Sequence, residues 1–124
     1  MSTPAVGWFE ITGRDGPALQ RFYSSLFDWS VQDAGDDSGY GVVQAAERGI
    51  SGGIGRSQDG GPGQVTFYVE VDDPAGYLVK AEQLGGTTVV PPIEMPNFGL
   101  TFAFFADPEG HVVGLSKGAV NEHP

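Results

Sequence analysis

The chain has 124 residues, with sixteen acidic and six basic side chains, a formal net charge of −10 and no cysteine. This length fits one domain, and the lack of cysteine excludes disulfides, thiolate metal sites and a cysteine nucleophile. Acidic residues spread along the chain disfavour nucleic acid or an anionic membrane as a partner. Because no basic segment precedes an apolar run and no long apolar stretch occurs, we expect a cytoplasmic protein.

The first predicted elements are a strand and a helix. In WFEITGRD at 8–15, Phe9 and Ile11 alternate with a second face of Trp8, Glu10 and Thr12. Asp15 and Pro17 are typical of a helix start, and one apolar helix face follows: Leu19, Phe22, Tyr23, Leu26 and Phe27. This face is predicted to cover Phe9 and Ile11. Glu10 then lies on the other face, either in solvent or in a ligand pocket.

The same order of elements is predicted twice. After short strands at 40–46 and 49–55 and a glycine-rich linker at 57–64, a strand at 64–71 and a helix at 72–86 follow. The later runs TTVVPP, LTFAFFAD and HVVGLSK are strand-like. The segment AAERGISGGI at 45–54 aligns with ADPEGHVVGL at 106–115, with Gly53 on Gly114. The chain is therefore predicted to contain two copies of one βαβββ unit.

Three stretches carry a family resemblance: FEITGRDGPALQRFYSSLFDW at 9–29, VEVDDPAGYLVKAEQLGG at 69–86 and FADPEGHVVGLSK at 105–117. Together they resemble the vicinal oxygen chelate superfamily of glyoxalases, bleomycin resistance proteins and ring-cleaving dioxygenases. The resemblance implies one α+β domain, 1–124, whose two βαβββ modules, about 5–57 and 64–118, form a curved mixed-sheet cup. Helices cover the convex side, facing Phe9, Ile11, Phe67, Val69 and Val71, and the ligand lies in the concave side.

The resemblance also implies four metal-ligand positions, two in each module. They fall on Trp8, Gly53, Thr66 and Gly114, where metalloenzymes of the superfamily usually have His, Glu or Gln. Tryptophan and glycine offer no ligand atom, and threonine is a poor neutral ligand. We therefore expect neither the shared metal site nor another cofactor.

Other candidate sites are weaker. His111 is predicted to be a turn residue, and His123 lies near the end of the sequence. A carboxylate-only Mg or Ca site of Glu10 and Glu70 would have too few oxygens. The glycine-rich segment at 49–63 lacks the Gly-Lys-Ser/Thr ending of a phosphate-binding loop. The proline-rich segment at 89–99 is predicted to be a stiffened loop, either a lid over the cup or a plain connector.

The leading functional hypothesis is a metal-independent protein that binds a small organic ligand in an aromatic-lined cup. The predicted ligand-binding residues are Trp8, Glu10, Thr12, Thr66, Tyr68, Glu70, Phe98, Phe102 and Phe104. One alternative is a lyase, isomerase or dioxygenase-type enzyme of the same superfamily, with Glu10 as its catalytic general base or with a relocated metal site. Another is a partner protein without a pocket. A homodimer is expected, because open curved sheets leave strand edges uncovered.

Overall fold

The computed structural model describes residues 3–35 and 38–118. Their elements, in chain order, are β1 (Ala5–Gly13), α1 (Gly16–Phe27), β2 (Val31–Asp33), β3 (Gly41–Val43), β4 (Gly52–Arg56), β5 (Val65–Glu70), α2 (Pro74–Gln83), β6 (Thr87–Met95), the one-turn 3-10 helix Pro96–Phe98, β7 (Leu100–Ala106) and β8 (Val112–Gly118). Two compact units result: an N-terminal unit of residues 8–66 and a C-terminal unit of residues 3–7 and 67–118. His123 lies outside the described residues.

The N-terminal unit has the strand order β2-β3-β4-β1, in which β1 and β4 run parallel and the other neighbours antiparallel. Its buried core consists of Ile11, Val43 and Ile54, against which lie Phe9, Leu19, Tyr23, Trp29 and Val31. The predicted alternation of β1 is therefore confirmed: Phe9 and Ile11 face the core beneath α1, and Glu10 lies on the opposite face.

Helix α1 begins as predicted, because the Asp15 side chain accepts a hydrogen bond from the Ala18 amide at 3.0 Å. Only part of its apolar face covers Phe9 and Ile11. Phe22 is 58% exposed and Leu26 57%, and Phe27 is exposed as well. The sheet beneath is small, since β2 and β3 have three residues each, and Leu19 and Tyr23 are the residues of the apolar face that pack against the core. Strand β2 itself was not predicted.

The C-terminal unit has the order β5-β8-β7-β6, with β5 and β8 parallel. Its core consists of Val71, Leu78, Ala103 and Leu115, packed against Val69, Tyr77 and Phe105. Helix α2 begins at the predicted Asp73-Pro74, where the Asp73 side chain accepts a hydrogen bond from the Gly76 amide at 3.1 Å. Phe67 was predicted to be covered by a helix but is exposed, because the core lies further along β5.

The proline-rich segment at 89–99 is not the predicted loop. Strand β6 continues to Met95 at the edge of its sheet, and its register against β7 shifts between Val90 and Ile93, around the two prolines. An edge strand tolerates proline, because one side of its backbone has no strand partner. On the other side, a register irregularity lets proline stand where no N–H has to be donated to β7.

The register confirms the internal repeat and the α+β fold of two βαβββ modules. Glu10 pairs with Gly53 across β1 and β4, and Tyr68 pairs with Gly114 across β5 and β8. The turn glycines Gly49 and Gly110, also aligned in the repeat, both have positive φ angles. Among the described residues, neither helix is long and apolar enough to cross a membrane.

Candidate functional site

Three polar side chains of the N-terminal unit form a hydrogen-bonded chain on the face opposite α1. The indole N–H of Trp8 donates to the Tyr40 hydroxyl at 3.1 Å, and that hydroxyl donates to Oε2 of Glu10 at 2.8 Å. All three side chains are half-buried. Trp8 and Glu10 were predicted site residues, and the structure brings them together through Tyr40.

Tyr40 was predicted to begin the short strand at 40–46 but was not predicted to be a site residue. In the structure it ends the loop between β2 and β3, because β3 covers only Gly41–Val43. Burial raises the pKa of Tyr40 above its ordinary value of 10.0, and the negative charge of Glu10 raises it further, while the hydrogen bond from Trp8 opposes this. Tyr40 is therefore a protonated hydrogen-bond donor at neutral pH. The sequence signal that could have indicated Tyr40 is Gly53, because a strand glycine leaves space on this face for a ring from elsewhere in the chain.

Gly53 makes room for Tyr40. A Cβ atom at position 53 would collide with the phenol ring and hydroxyl of Tyr40, so any other residue there would displace the ring. Because Gly53 also pairs with Glu10 in the sheet, the ring lies beside the carboxylate that it contacts. The glycine at a predicted metal-ligand position thus serves the packing of Tyr40.

In the C-terminal unit, three predicted residues form an aromatic cluster. The ring centroids of Tyr68 and Phe104 are 5.3 Å apart, and those of Phe104 and Phe102 are 6.0 Å apart. Tyr68 is buried and lies over Gly114, where an added Cβ atom would collide with its ring. This surface offers aromatic contact area, whereas the Glu10 face of the N-terminal unit offers a charged acceptor.

The other predicted residues have different surroundings. The Thr12 hydroxyl accepts a hydrogen bond from the Gln64 amide at 3.1 Å, which ties the linker to β1. Thr66 is buried, and Glu70 is exposed beside a polar crevice of about 470 Å³. Phe98 is 43% exposed on the 3-10 helix and, in the part of the chain that the structure describes, makes no ring contact with the aromatic cluster. Of these residues, Thr12 has a structural role, because its hydroxyl holds Gln64 of the linker.

Three residues at the metal-ligand positions that the resemblance implies, Trp8, Gly53 and Gly114, offer no ligand atom to a metal ion. Tyr40 and Tyr68 fill the space beside Gly53 and Gly114, and the Trp8 nitrogen carries a proton that it donates to Tyr40. Across residues 3–35 and 38–118, no group of three or more His, Asp or Glu side chains could hold a metal. His111 instead lies in a turn, with Nδ1 3.0 Å from Oδ2 of Asp107.

A further crevice of about 440 Å³ lies in the C-terminal unit on the α2 side of its sheet. Its lining is almost wholly apolar and includes Val69, Leu84 and Phe105, with Lys80 beside them. The predicted ligand-binding residues are not among those lining this crevice. It results from incomplete packing of α2 on the sheet, since Val79 and Leu84 of this region are exposed.

Known proteins resemble this chain over nearly its full length. The anthracycline biosynthesis protein DnrV of Streptomyces peucetius is 28% identical over 95% of this chain and 48% of its own length. The curated relatives are thus more than twice as long as the region that they share with this chain.

Solved structures share the fold at low sequence identity. Methylmalonyl-CoA epimerase of Streptomyces coelicolor superposes with a TM-score of 0.62 at 14% identity, over 99% of this chain and 100% of that one. The Mn(II)-bound glyoxalase of Novosphingobium aromaticivorans gives a TM-score of 0.60 at 16% identity, over 90% of this chain and 37% of that one. The glyoxalase-like domain family matches residues 8–116. The chain therefore belongs to the glyoxalase-like domain family, within the vicinal oxygen chelate superfamily.

Proposed function

We propose that this protein binds a small aromatic ligand without a metal ion, with the ligand's polar group on Glu10. The observation that carries the proposal is the chain from Trp8 through Tyr40 to Glu10, which occupies the face where the family places its metal ligands. A carboxylate held by a phenol takes the place of a metal as the polar feature of this site.

The aromatic part of the ligand is supported by two features. Tyr68, Phe102 and Phe104 form a ring cluster on the strand face that corresponds in the repeat to the Glu10 face. The relative DnrV is named for anthracycline biosynthesis, and anthracyclines are polycyclic aromatic compounds. We therefore propose a hydroxylated polycyclic ligand, and Thr66, Glu70 and Phe98 stay predicted ligand-binding residues.

The test combines binding with metal analysis. Isothermal titration calorimetry with a hydroxyanthraquinone should give saturable binding that a chelator leaves unchanged. The purified protein should contain far less than one equivalent of Zn, Ni, Fe or Mn by elemental analysis. One equivalent of such a metal, together with loss of binding after chelation, would contradict the metal-free proposal.

The second candidate is a lyase or isomerase that uses Glu10 as a general base. The observation favouring it is the half-buried carboxylate with an adjacent phenol, a pair that could move a proton beside a carbonyl. Acetylanthraquinone in D₂O separates the two functions. Under the binding proposal, its acetyl hydrogens exchange no faster with the protein than in buffer; exchange that Glu10→Gln abolishes would establish the base.

We also propose that the chain forms a homodimer in the cytoplasm. Phe22, Leu26 and Phe27 give α1 an exposed apolar surface. A second copy of the chain would cover this surface. Sedimentation should give about twice the 13.0 kDa chain mass; a monomer at micromolar concentration would refute the dimer.

A further inference from the structure

The hydrogen-bond directions around Tyr40 are fixed by the chemistry of its partners. The indole nitrogen of Trp8 is only a donor, so the Tyr40 oxygen must accept from it. Tyr40 has one hydroxyl proton, and the acceptor in line with it is Oε2 of Glu10, 2.8 Å away. Glu10 is thereby the acceptor of the Tyr40 proton, and an ionised carboxylate is the stronger acceptor.

Residues 38–40, at the end of the loop before β3, are held by several hydrogen bonds. Nε2 of Gln20, on α1, donates to the carbonyl of Gly39 at 2.9 Å and to that of Ile54 at 2.7 Å. The Tyr40 amide donates to the Ser38 hydroxyl at 3.1 Å, and the Tyr40 carbonyl accepts from the Ala34 amide at 2.9 Å. The phenol is therefore preorganised, so little entropy is lost in positioning it.

We propose that Tyr40 determines ligand specificity: by holding Glu10 as an ionised acceptor, it selects ligands that present an ammonium, alcohol or phenol group and rejects carboxylates. This inference rests on the proposed binding function and extends it to the class of ligand. An ionised carboxylate has about four acceptor positions, so the bond from Tyr40 does not by itself exhaust its acceptor capacity. A ligand carboxylate would meet a like charge and bring no proton.

The experiment uses anthraquinone probes that differ in one substituent: aminomethyl, hydroxymethyl or carboxylate. Isothermal titration calorimetry should show that the wild-type protein binds the aminomethyl probe about tenfold or more tightly than the carboxylate probe, the ratio that one charge-assisted hydrogen bond gives. Tyr40→Phe should reduce this ratio at least threefold. Because this substitution leaves the net charge unchanged, the acidic surface does not explain a change in ratio.

A spectroscopic readout tests the chain independently of the probes. The protein has two tryptophans, Trp8 and Trp29, so an amide-type ¹H–¹⁵N spectrum contains two indole signals. Tyr40→Phe should shift the Trp8 signal, whereas the control Tyr77→Phe, which removes a hydroxyl from α2, should shift neither signal nor change the ratio. If Tyr40→Phe does not fold, Gln20→Ala serves instead, because it releases the loop and keeps Tyr40 and Glu10.

The outcomes separate the two proposals. If the wild-type protein binds all three probes with equal affinity, or if the ratio survives in folded Tyr40→Phe, the specificity role of Tyr40 is wrong and the binding function stands. If no probe binds, both the binding function and the specificity role are wrong. A lowered ratio together with a shifted Trp8 signal supports the proposed role.

Discussion

In the N-terminal unit, Gly53 pairs with Glu10 and lies under the ring of Tyr40, whereas in the C-terminal unit Gly114 pairs with Tyr68 and lies under the ring of that same residue. The first ring comes from a loop and the second from the neighbouring strand. Both modules thus cover a glycine of their last strand with a tyrosine, but they take that tyrosine from different places.

This difference explains why the two surfaces differ chemically. Because a loop supplies the ring in the N-terminal unit, the strand position opposite Gly53 is available for a carboxylate, and the loop tyrosine can hydrogen-bond to it. In the C-terminal unit the strand position is itself the tyrosine, which packs against Phe104. A duplicated module can therefore keep one steric solution and place a charged acceptor in only one copy.

The largest effect is expected from alanine at the two covered glycines. Gly114→Ala should lower the free energy of unfolding by about 2–3 kcal/mol, because Tyr68 is buried in a strand and cannot move away from the new methyl group. Gly53→Ala should cost less, about 1–2 kcal/mol, because the Tyr40 side chain is only half-buried and its ring can turn toward solvent. Urea unfolding of both variants measures the difference.

Gly61→Ala is the matched control, since the nearest atom to its new methyl group belongs to the exposed side chain of Asp59. It should change stability by less than about 0.5 kcal/mol. Equal costs for Gly53→Ala and Gly114→Ala would mean that the half-buried ring of Tyr40 is as confined as the buried ring of Tyr68, which would contradict this part of the comparison.

The second prediction concerns Glu10, which has no carboxylate counterpart at Tyr68. Glu10→Gln should weaken binding of the aminomethyl anthraquinone by about 1.5–3 kcal/mol and change stability by less than about 1 kcal/mol, because the amide oxygen can still accept from Tyr40. Tyr68→Phe keeps its ring and should change the affinity of all probes by the same factor. Calorimetry and urea unfolding distinguish these results from a structural role, in which Glu10→Gln would unfold the protein.

A third, smaller effect should appear at alkaline pH. Burial beside Glu10 raises the pKa of Tyr40 above the unfolded value of 10.0, so the folded state keeps a proton that the unfolded state releases. The stability present below pH 10 should therefore decline above it, by up to about 1.4 kcal/mol per pH unit. Tyr40→Phe should remove this part of the slope; an unchanged slope in urea unfolding from pH 9 to about 11 would contradict the burial of Tyr40.

Most of the fold could be predicted because its signals are local. Alternation placed Phe9 and Ile11 toward the core, and Asp15 and Asp73 marked both helix starts correctly. The errors arose where the length of a strand, or the covered part of a helix, depends on tertiary packing. The sequence does not reveal how much of α1 a small sheet can cover, nor that the strand-like run at 87–92 continues beyond its two prolines to Met95.

The candidate site was predicted only in part, for a physical reason. Trp8 and Glu10 followed from strand parity, whereas Tyr40 was predicted to begin a strand and instead reaches them from the loop before β3. Tyr40 is 30 residues from Glu10 along the chain, so their contact depends on how the strands between them pair. The absence of a side chain at Gly53 is visible in the sequence, but the ring that fills the space is visible only in the structure.

The smallest effect distinguishes the turns before the two last strands. In the C-terminal unit, Oδ1 of Asp107 accepts hydrogen bonds from the amides of His111 and Glu109, both at 2.9 Å, whereas the aligned residue of the N-terminal unit is Ala46. The amide of His111 is the main cause that lowers the pKa of Asp107 below its ordinary value of 3.8. The folded state thus holds the carboxyl proton of Asp107 less tightly than the unfolded state does.

The stabilisation from Asp107 should therefore be present above pH 3.8 and disappear as the pH falls through the lowered value. Asp107→Asn should lower the urea midpoint slightly at neutral pH and converge with the wild-type protein in acid, because the neutral amide accepts the same hydrogen bonds without the charge. Ala46→Ser, in the other turn, should leave the pH dependence unchanged. If Asp107→Asn and the wild-type protein differed equally at neutral and acid pH, the carboxylate charge would have no part in the turn's stability.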